Sequence, residues 1–371
     1  MSNSNDDAAA VEVLDTLVIG GGQSGLAIGH YLKRQDRKFL ILDANPRIGD
    51  AWRQRWDTLR LFTPAKYDGL PGVPFPGDRL SFPRKDDLAD YLENYAATFD
   101  LPVRTGIRVE RLWREQGRFV AVSGGRRWEA GNVVVATGST QAPRLPDFAS
   151  GLGPSIVQLH SSEYRNPGQL QQGRVLVVGL GNSGAEIALE VSRTHPTVVA
   201  GKPSGELPVR HGRNAARFAL PVVRFLGIHV LTVDNPLGRK AAQHKLAHAD
   251  PLIRTKRKDL TAAGVDIVPR VTGVQDGRPV VAGSPLDGVS NVIWCTGYRE
   301  SFDWIEPQVF DDGGRPRQRR GVATDLPGLF FLGGEFMYAA TSATLIGACR
   351  DARYLAGKIP AAASLAARSL A

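Results

Sequence analysis

The stretch Thr16-Leu17-Val18-Ile19-Gly20-Gly21-Gly22-Gln23-Ser24-Gly25 decides the reading, because its pattern returns as Val175-Leu176-Val177-Val178-Gly179-Leu180-Gly181-Asn182-Ser183-Gly184. Each copy is an apolar run of strand length, a glycine-rich turn and the start of a helical pattern. A further small residue stands four positions on, Gly29 in the first copy and Ala188 in the second. Glycines at that spacing let the backbone approach a pyrophosphate, whose charge then faces the unpaired N–H groups of a helix N-terminus. One such fingerprint is weak evidence. Two in the same strand–turn–helix context predict a protein that holds two dinucleotides. The plainer alternative is a pair of glycine turns that only pack a helix against a sheet.

The residues beyond each fingerprint separate the two sites. Eighteen positions past Gly25, after Lys38-Phe39-Leu40-Ile41-Leu42, stands Asp43. A carboxylate there accepts hydrogen bonds from ribose hydroxyls, as FAD or NAD requires. Eighteen positions past Gly184, after Thr197-Val198-Val199-Ala200-Gly201, stands Lys202. A carboxylate at that point repels a 2′-phosphate, whereas an ammonium attracts it. The order is therefore FAD first and NADPH second, with a solvated strand-end lysine as the alternative for Lys202.

Composition frames this reading. The chain has 371 residues, 42% hydrophobic and 22% charged, which suits a soluble globular protein with room for two domains. The first seven residues are polar, so no signal peptide is expected. The most apolar long segment, residues 216–233, contains Arg217, Pro221, Arg224 and His229, which argues against a membrane span. It reads either as a cover for a substrate channel or as a buried helix. Cys295 and Cys349 form no C-x-x-C, so neither a redox disulfide motif nor a zinc site is indicated. Cytoplasmic residence is the default. The net charge of +9 gathers between residues 239 and 258, where no interleaved aromatics support nucleic-acid binding. A solvated helical face that draws in an anionic cofactor or substrate is the expectation.

Along the chain, residues 45–83 form a Pro/Gly-punctuated loop too long for a mere connection, and are expected to be functional. Leu88, Tyr91, Leu92, Tyr95 and Phe99 have helical spacing, with Asp86 or Asp87 as the cap. Residues 103–122 read as a meander. Strand ends recur at Ala136-Thr137-Gly138 and Cys295-Thr296-Gly297, where small residues let the backbone run close to a dinucleotide. Another apolar strand, Leu329-Phe330-Phe331-Leu332, ends at Gly333-Gly334-Glu335 and precedes a helical pattern. This order predicts an α/β protein of two nested Rossmann-type dinucleotide-binding domains in a glutathione-reductase-like arrangement. The expected division is a disordered N-terminus (1–10), a discontinuous FAD domain (11–155 and 290–371) and an NADPH domain (156–289).

These residues, together with Ile48-Gly49-Asp50-Ala51-Trp52, the run from Arg55 through Pro64, Leu70-Pro71-Gly72-Val73-Pro74-Phe75-Pro76, His160-Ser161-Ser162-Glu163-Tyr164 and Thr296-Gly297-Tyr298-Arg299, resemble the class B flavin-dependent monooxygenases. The resemblance is to the flavin-containing and YUCCA-like group and its bacterial CzcO-like members, and covers residues 14–358. It implies FAD at Gly20, Gly22, Gln23, Ser24, Gly25, Asp43, Trp52, Val109, Ala136, Thr137, Gly138 and Gly334. It implies NADPH at Gly179, Gly181, Asn182, Ser183, Gly184, Lys202, Thr296 and Gly297. The implied reaction is reduction of FAD by NADPH, followed by transfer of one atom of dioxygen to a nitrogen, sulfur or carbonyl centre of a small organic substrate. The other atom leaves as water. No catalytic side chain, metal site or nucleic-acid partner is implied, and a homodimer is left open. Two departures stand out. Only His160 and Tyr164 of the signature F-x-G-x-x-x-H-x-x-x-[FY] are present, with Pro154 and Ile156 in place of Phe and Gly. The Asn that many members carry near Phe62-Thr63-Pro64 is absent. Both bear on oxygen transfer more than on cofactor binding. Rival readings are an NADPH-dependent flavin reductase or oxidase and a dinucleotide-binding protein without turnover. His160 reads equally as a linker histidine bonded to backbone.

Overall fold

The computed structural model describes residues 11–202, 205–247, 250–306 and 308–360. The N-terminal segment expected to be disordered lies outside them. Strand β1 (Glu12–Ile19) ends in Thr16 to Ile19, all buried, because both faces of a parallel strand are covered and no polar alternation is needed. Helix α1 (Gln23–Arg34) returns the chain to β2 (Phe39–Leu42), which pairs parallel to β1 with Leu42 opposite Ile19. Helix α2 (Lys85–Thr98) follows the long loop, with the Asp87 carboxylate accepting the Arg84 N–H at 2.8 Å. The expected meander is only partly formed. β3 (Val103–Arg104) joins the parallel sheet beside β2, and only β4 (Arg111–Glu115), β5 (Arg118–Ser123) and β6 (Arg126–Val135) run antiparallel in succession.

β6 changes neighbour along its length. Its first half pairs with β5, and Val133 to Val135 pair in parallel with Leu329–Phe331 from the far end of the chain. Between these two stretches lies a second sheet, all parallel. Its strands are β7 (Val157–His160), β8 (Arg174–Val178), β9 (Thr197–Ala200), β10 (Asp266–Val268) and β11 (Val289–Trp294), in the order β10-β9-β8-β11-β7. Helix α3 (Asn182–Val191) follows β8 as α1 follows β1. The architecture is thus the nested two-sheet α/β fold expected from the sequence. The expected boundary at 289/290 needs moving, since β11 crosses it and belongs to the second sheet. β12, the strand Leu329–Phe331, extends the first sheet beyond β6, and helix α5 (Leu345–Ala356) packs along α1.

Residues 216–233 differ from one expectation. They are helical through Ala215–Ala219, Leu220–Phe225 and Leu226–Val230, with the outer thirds in the wider π form, and α4 (Pro236–Ala247) follows. This is not a buried helix. Ala215, Ala216, Leu220, Gly227 and Ile228 face inward, while Phe218 is 67% and Phe225 57% exposed. Among the described residues no helix is long and apolar enough to cross a membrane.

Candidate active site: two cradles and the strap between them

The two fingerprints fold into the same local geometry. Gly20 and Gly179 both take φ +110°, and the Gly20 and Gly179 N–H groups bond to the carbonyls of Leu42 and Ala200 on the neighbouring strands. A Cβ on Gly20 meets the Ala136 carbonyl oxygen at 2.5 Å, and one on Gly179 meets that of Cys295 at 2.3 Å. On Gly25 and Gly184 a Cβ lies 1.8 Å from the carbonyl oxygens of Gly20 and Gly179 respectively. These four glycines are therefore required by close packing of helix on turn. Gly22, Gly138 and Gly297 differ: a Cβ there has nothing within 4 Å. Gly22 and Gly181 are the N-caps of α1 and α3, and neither helix has a side-chain cap or an acidic residue in its first turn. Both helix N-termini thus offer N–H groups and positive dipole ends that no acid of their own first turn neutralises. That donor set fits a pyrophosphate at each.

Around the first cradle, the Gly21 N–H donates to Asp43 Oδ2 at 2.5 Å. Asn45 donates to Asp43 Oδ1 through its N–H at 2.7 Å and its Nδ2 at 2.9 Å. Buried at the end of β2, the Asp43 carboxylate is held by its own loop and keeps acceptor capacity for a hydroxyl. Trp52 Nε1 donates to Gln23 Oε1 at 3.0 Å, which ties two of the expected flavin-site residues together. The Ile107 N–H bonds to the Asp43 carbonyl, which places Val109 two residues beyond that contact, with its side chain buried. Ser24 lies against Gly333, and Gly334 lies against Met337 and the Glu300 carboxyl. Burial, more than the charge of Glu335, pushes the Glu300 carboxyl above its ordinary value.

At the second cradle, Asn182 Nδ2 donates to the Pro251 carbonyl and its Oδ1 accepts the Ile253 N–H, so this side chain pins the 251–253 segment. Lys202 is exposed past the end of β9. The Thr296 hydroxyl donates to the Arg144 carbonyl and is a linker contact. Cys295 is half-buried, and desolvation pushes its thiol up to about 12, so it is inert at neutral pH.

The two connections between the sheets run side by side. Ala142–Pro143 and Tyr298–Arg299 form a short antiparallel ladder. Gln141 Nε2 donates to Thr137 Oγ1 and to the Gly138 carbonyl, both at 2.8 Å, and its Oε1 accepts the Ser301 N–H. Arg55 reaches Tyr298 Oη at 2.7 Å and Thr140 Oγ1 at 2.9 Å. His160 Nδ1 accepts from the Ser162 N–H, so its Nε2 carries the proton and donates to the Gly297 carbonyl at 3.1 Å. Desolvation holds the imidazole below its ordinary 6.5, and it is neutral. His160 is therefore the backbone-bonded linker histidine.

The long loop packs under the second unit. Arg254 Nη2 donates to the carbonyls of Arg60 and Leu61, and His211 Nε2 donates to that of Phe62 at 2.9 Å. Lys256 Nζ donates to the carbonyls of Leu207 and Val209. Two of the seven basic residues of this run thus depart from the expected solvated face; Arg254 and Lys256 satisfy loop carbonyls that would otherwise lack partners. Asn45, Gln141, Arg254 and His211 escaped the sequence reading. Only Gln141, four residues past Thr137, had a local signal.

Two cradles of one design, joined by clasped linkers under a shared loop, define an oxidoreductase that passes electrons between a pyridine nucleotide and a flavin. Residues 17–211 match the pyridine nucleotide-disulphide oxidoreductase family, and the chain belongs to it, in the flavin monooxygenase group. An uncharacterised CzcO-like oxidoreductase of Geobacillus kaustophilus is 38% identical, over 94% of this chain and 98% of its own. The indole-3-pyruvate monooxygenase YUCCA1 of Oryza sativa is 32% identical over 58% of this chain and 55% of its own. Among solved structures, the flavin-containing monooxygenase from Stenotrophomonas maltophilia superposes with a TM-score of 0.76 at 29% identity, covering 94% of this chain and 98% of that one. The protein is a flavin monooxygenase of the pyridine nucleotide-dependent kind.

Proposed function

We propose that the first cradle (Gly20, Gly22, Gln23, Ser24, Gly25, Asp43, Trp52, Val109, Ala136, Thr137, Gly138, Gly334) holds FAD. The second (Gly179, Gly181, Asn182, Ser183, Gly184, Lys202, Thr296, Gly297) holds NADPH, so that a small organic substrate is oxygenated at nitrogen, sulfur or a carbonyl. The observation that carries the assignment is the difference at matching strand ends: a carboxylate already held toward the first cradle, and an exposed ammonium beyond the second. Bound FAD supplies the acceptor for the nicotinamide hydride and the centre at which dioxygen is activated. The chain's own groups do the rest. The α1 and α3 N-termini bind the pyrophosphates, Asp43 orients the first ribose, and Gln141, Arg55 and His160 hold the linkers that aim one unit at the other. The loop carbonyls fixed by Arg254 and His211 keep the residues between the sites in place and limit the entry of water. The FAD unit is proposed to comprise 11–155 and the chain beyond β11, and the protein to work in the cytoplasm.

Purified protein mixed anaerobically with NADPH should lose its flavin absorbance. Isotopically labelled dioxygen should then place one labelled atom in an amine, sulfide or ketone product. Complete reoxidation with label recovered only in hydrogen peroxide or water would instead assign an oxidase.

A further inference from the structure

Residues 60–69 form a strap held at both ends by different units. At one end Arg254 and His211, from the second unit, bond to the carbonyls of Arg60, Leu61 and Phe62. At the other end Cys349 Sγ, on α5 of the first unit, donates to the Gly69 carbonyl at 3.5 Å. Inside the strap sits Asp68, 0% exposed. The Thr63 hydroxyl donates to its Oδ1, and its Oδ2 has no partner. A buried carboxylate with half its acceptors unused is costly, so a structural role alone would be served better by Asn or by an apolar residue.

We propose that Asp68 is a positioning residue of the oxygenation reaction, acting through the Thr63 hydroxyl to set which hydrogen-bonding face the strap turns toward the space between the two dinucleotide sites. As a carboxylate, Asp68 accepts the hydrogen bond of the Thr63 hydroxyl and keeps that hydroxyl turned inward. As a neutral acid it donates to Thr63 Oγ, and the Thr63 proton is freed for an acceptor elsewhere. The charged and titratable groups of the elements around it contact its neighbours in the strap. Lys66 stacks on Tyr67, Arg224 of the overlying helical segment covers the same ring at 4.9 Å, Cys349 on α5 donates to the Gly69 carbonyl, and Tyr91 on α2 accepts the Leu70 N–H. None of these charges counters its burial, which carries the carboxyl up to about 7 against the opposing bond from Thr63. The strap therefore changes its donor pattern near neutral pH. This inference rests on the proposed placement of FAD and NADPH in the two cradles.

The test uses the FAD-loaded protein, with Asp68→Asn, Thr63→Val and Thr63→Ser. The midpoint potential of the flavin, followed with a redox dye, and the dissociation constant of NADP+ are measured across pH about 5 to 9, together with the rate of reduction by NADPH. The wild type should show an inflection near 7 in the flavin potential and in the NADP+ constant or the reduction rate, with a change of up to about tenfold in the latter two for one hydrogen bond gained or lost. Asp68→Asn should lose the inflection and resemble the wild type at low pH, Thr63→Val should lose it too, and Thr63→Ser should keep it. An unchanged inflection in Asp68→Asn or Thr63→Val overturns the proposal. So does a uniform offset at every pH, which is what a structural role produces. Should Asp68→Asn fail to fold, the Thr63 pair decides. Failure of NADPH to reduce the wild type refutes the cofactor placement instead, and the dye-measured potential still reads Asp68 in that case.

Discussion

Gly22 and Gly25 are three residues apart in one fingerprint, yet the structure gives them opposite consequences on substitution. Gly22 has φ −75° and ψ −170°, an extended conformation that valine adopts readily, and a Cβ there has nothing within 4 Å. Gly22→Val should therefore fold, at the cost of a poorer N-cap, about 1 kcal/mol. Its side chain fills the space over the α1 N-terminus and keeps the pyrophosphate from the helix N–H groups. Two lost charge-assisted hydrogen bonds at about 1.5–3 kcal/mol each weaken FAD binding by roughly two to four orders of magnitude. Gly25→Ala is the reverse case. Its methyl carbon would lie 1.8 Å from the Gly20 carbonyl oxygen, so α1 must move off the turn, at about 3 kcal/mol or more. The assay is paired: flavin absorbance for FAD content and thermal melting of the FAD-stripped protein. Gly22→Val should be colourless and melt near the wild-type apoprotein, while Gly25→Ala should melt well below it. Full FAD occupancy in Gly22→Val, or wild-type melting of Gly25→Ala, would refute the reasoning.

Lys202→Ala should raise the apparent NADPH constant about tenfold and leave that for NADH unchanged, since an ammonium–phosphate bond adds about 1.5–3 kcal/mol and solvent exposure favours the lower end. Equal effects on both cofactors mark a surface lysine. Asp68 has a folded value near 7 against an ordinary 3.8, so the folded chain holds its proton while the unfolded chain loses it, and stability falls as pH rises through that window. Asp68→Asn should remove the penalty, up to about 4 kcal/mol, and raise the melting temperature more at pH about 8 than at pH about 5; an equal shift at both contradicts this. His160 has the opposite sign. Its folded value lies below 6.5, so its contribution is complete above that pH and is lost as the pH falls below it. His160→Gln should flatten the acid limb of the melting curve, in which His30 and His211, also lowered by burial, still take part.

The fingerprints were legible in the sequence because each is local. The strand, the turn and the first helical residues lie within a dozen positions, and Gly20 and Gly25 are constrained by atoms of that same stretch and of one strand end. Asp43 was legible for the same reason, at the end of the next strand. The strap was not. Residues 60–69 have neither the period of a strand nor that of a helix, and the groups that fix them, Arg254, His211 and Cys349, come from distant parts of the chain. Arg254 and Lys256 look like a solvated run in sequence, because nothing local reveals which loop carbonyls folding leaves without partners. The segment 216–233 was apolar enough to suggest burial, but its apolar residues occupy both faces of the helix, and only one face has a neighbour.

What lets two dinucleotide units act on each other is the placement of the linkers at the cradles themselves. Thr137-Gly138 and Thr296-Gly297 are the ends of the strands that complete each cradle, and they are also where the chain leaves one unit for the other. Gly138 and Gly297 both take positive φ, at +72° and +84°. The Gly297 carbonyl accepts from the Arg144 N–H at 3.0 Å and from His160 Nε2 at 3.1 Å, which uses both of its lone pairs. Gln141 bonds in the same way to Thr137 and to the Gly138 carbonyl on the other linker. Rotating the second unit against the first must disturb Gly297, because the peptide that closes the second cradle is the one the linker grips. The closing peptide of the second cradle and the clasp of the linkers thus share one carbonyl and its two hydrogen bonds. The strap is tied to the same cradle. Arg254 is one residue past Ile253, whose N–H is held by Asn182 at the start of α3, and it carries the carbonyls of Arg60 and Leu61 with it. The start of α3 is thus connected through hydrogen bonds to the chain that leads to Asp68.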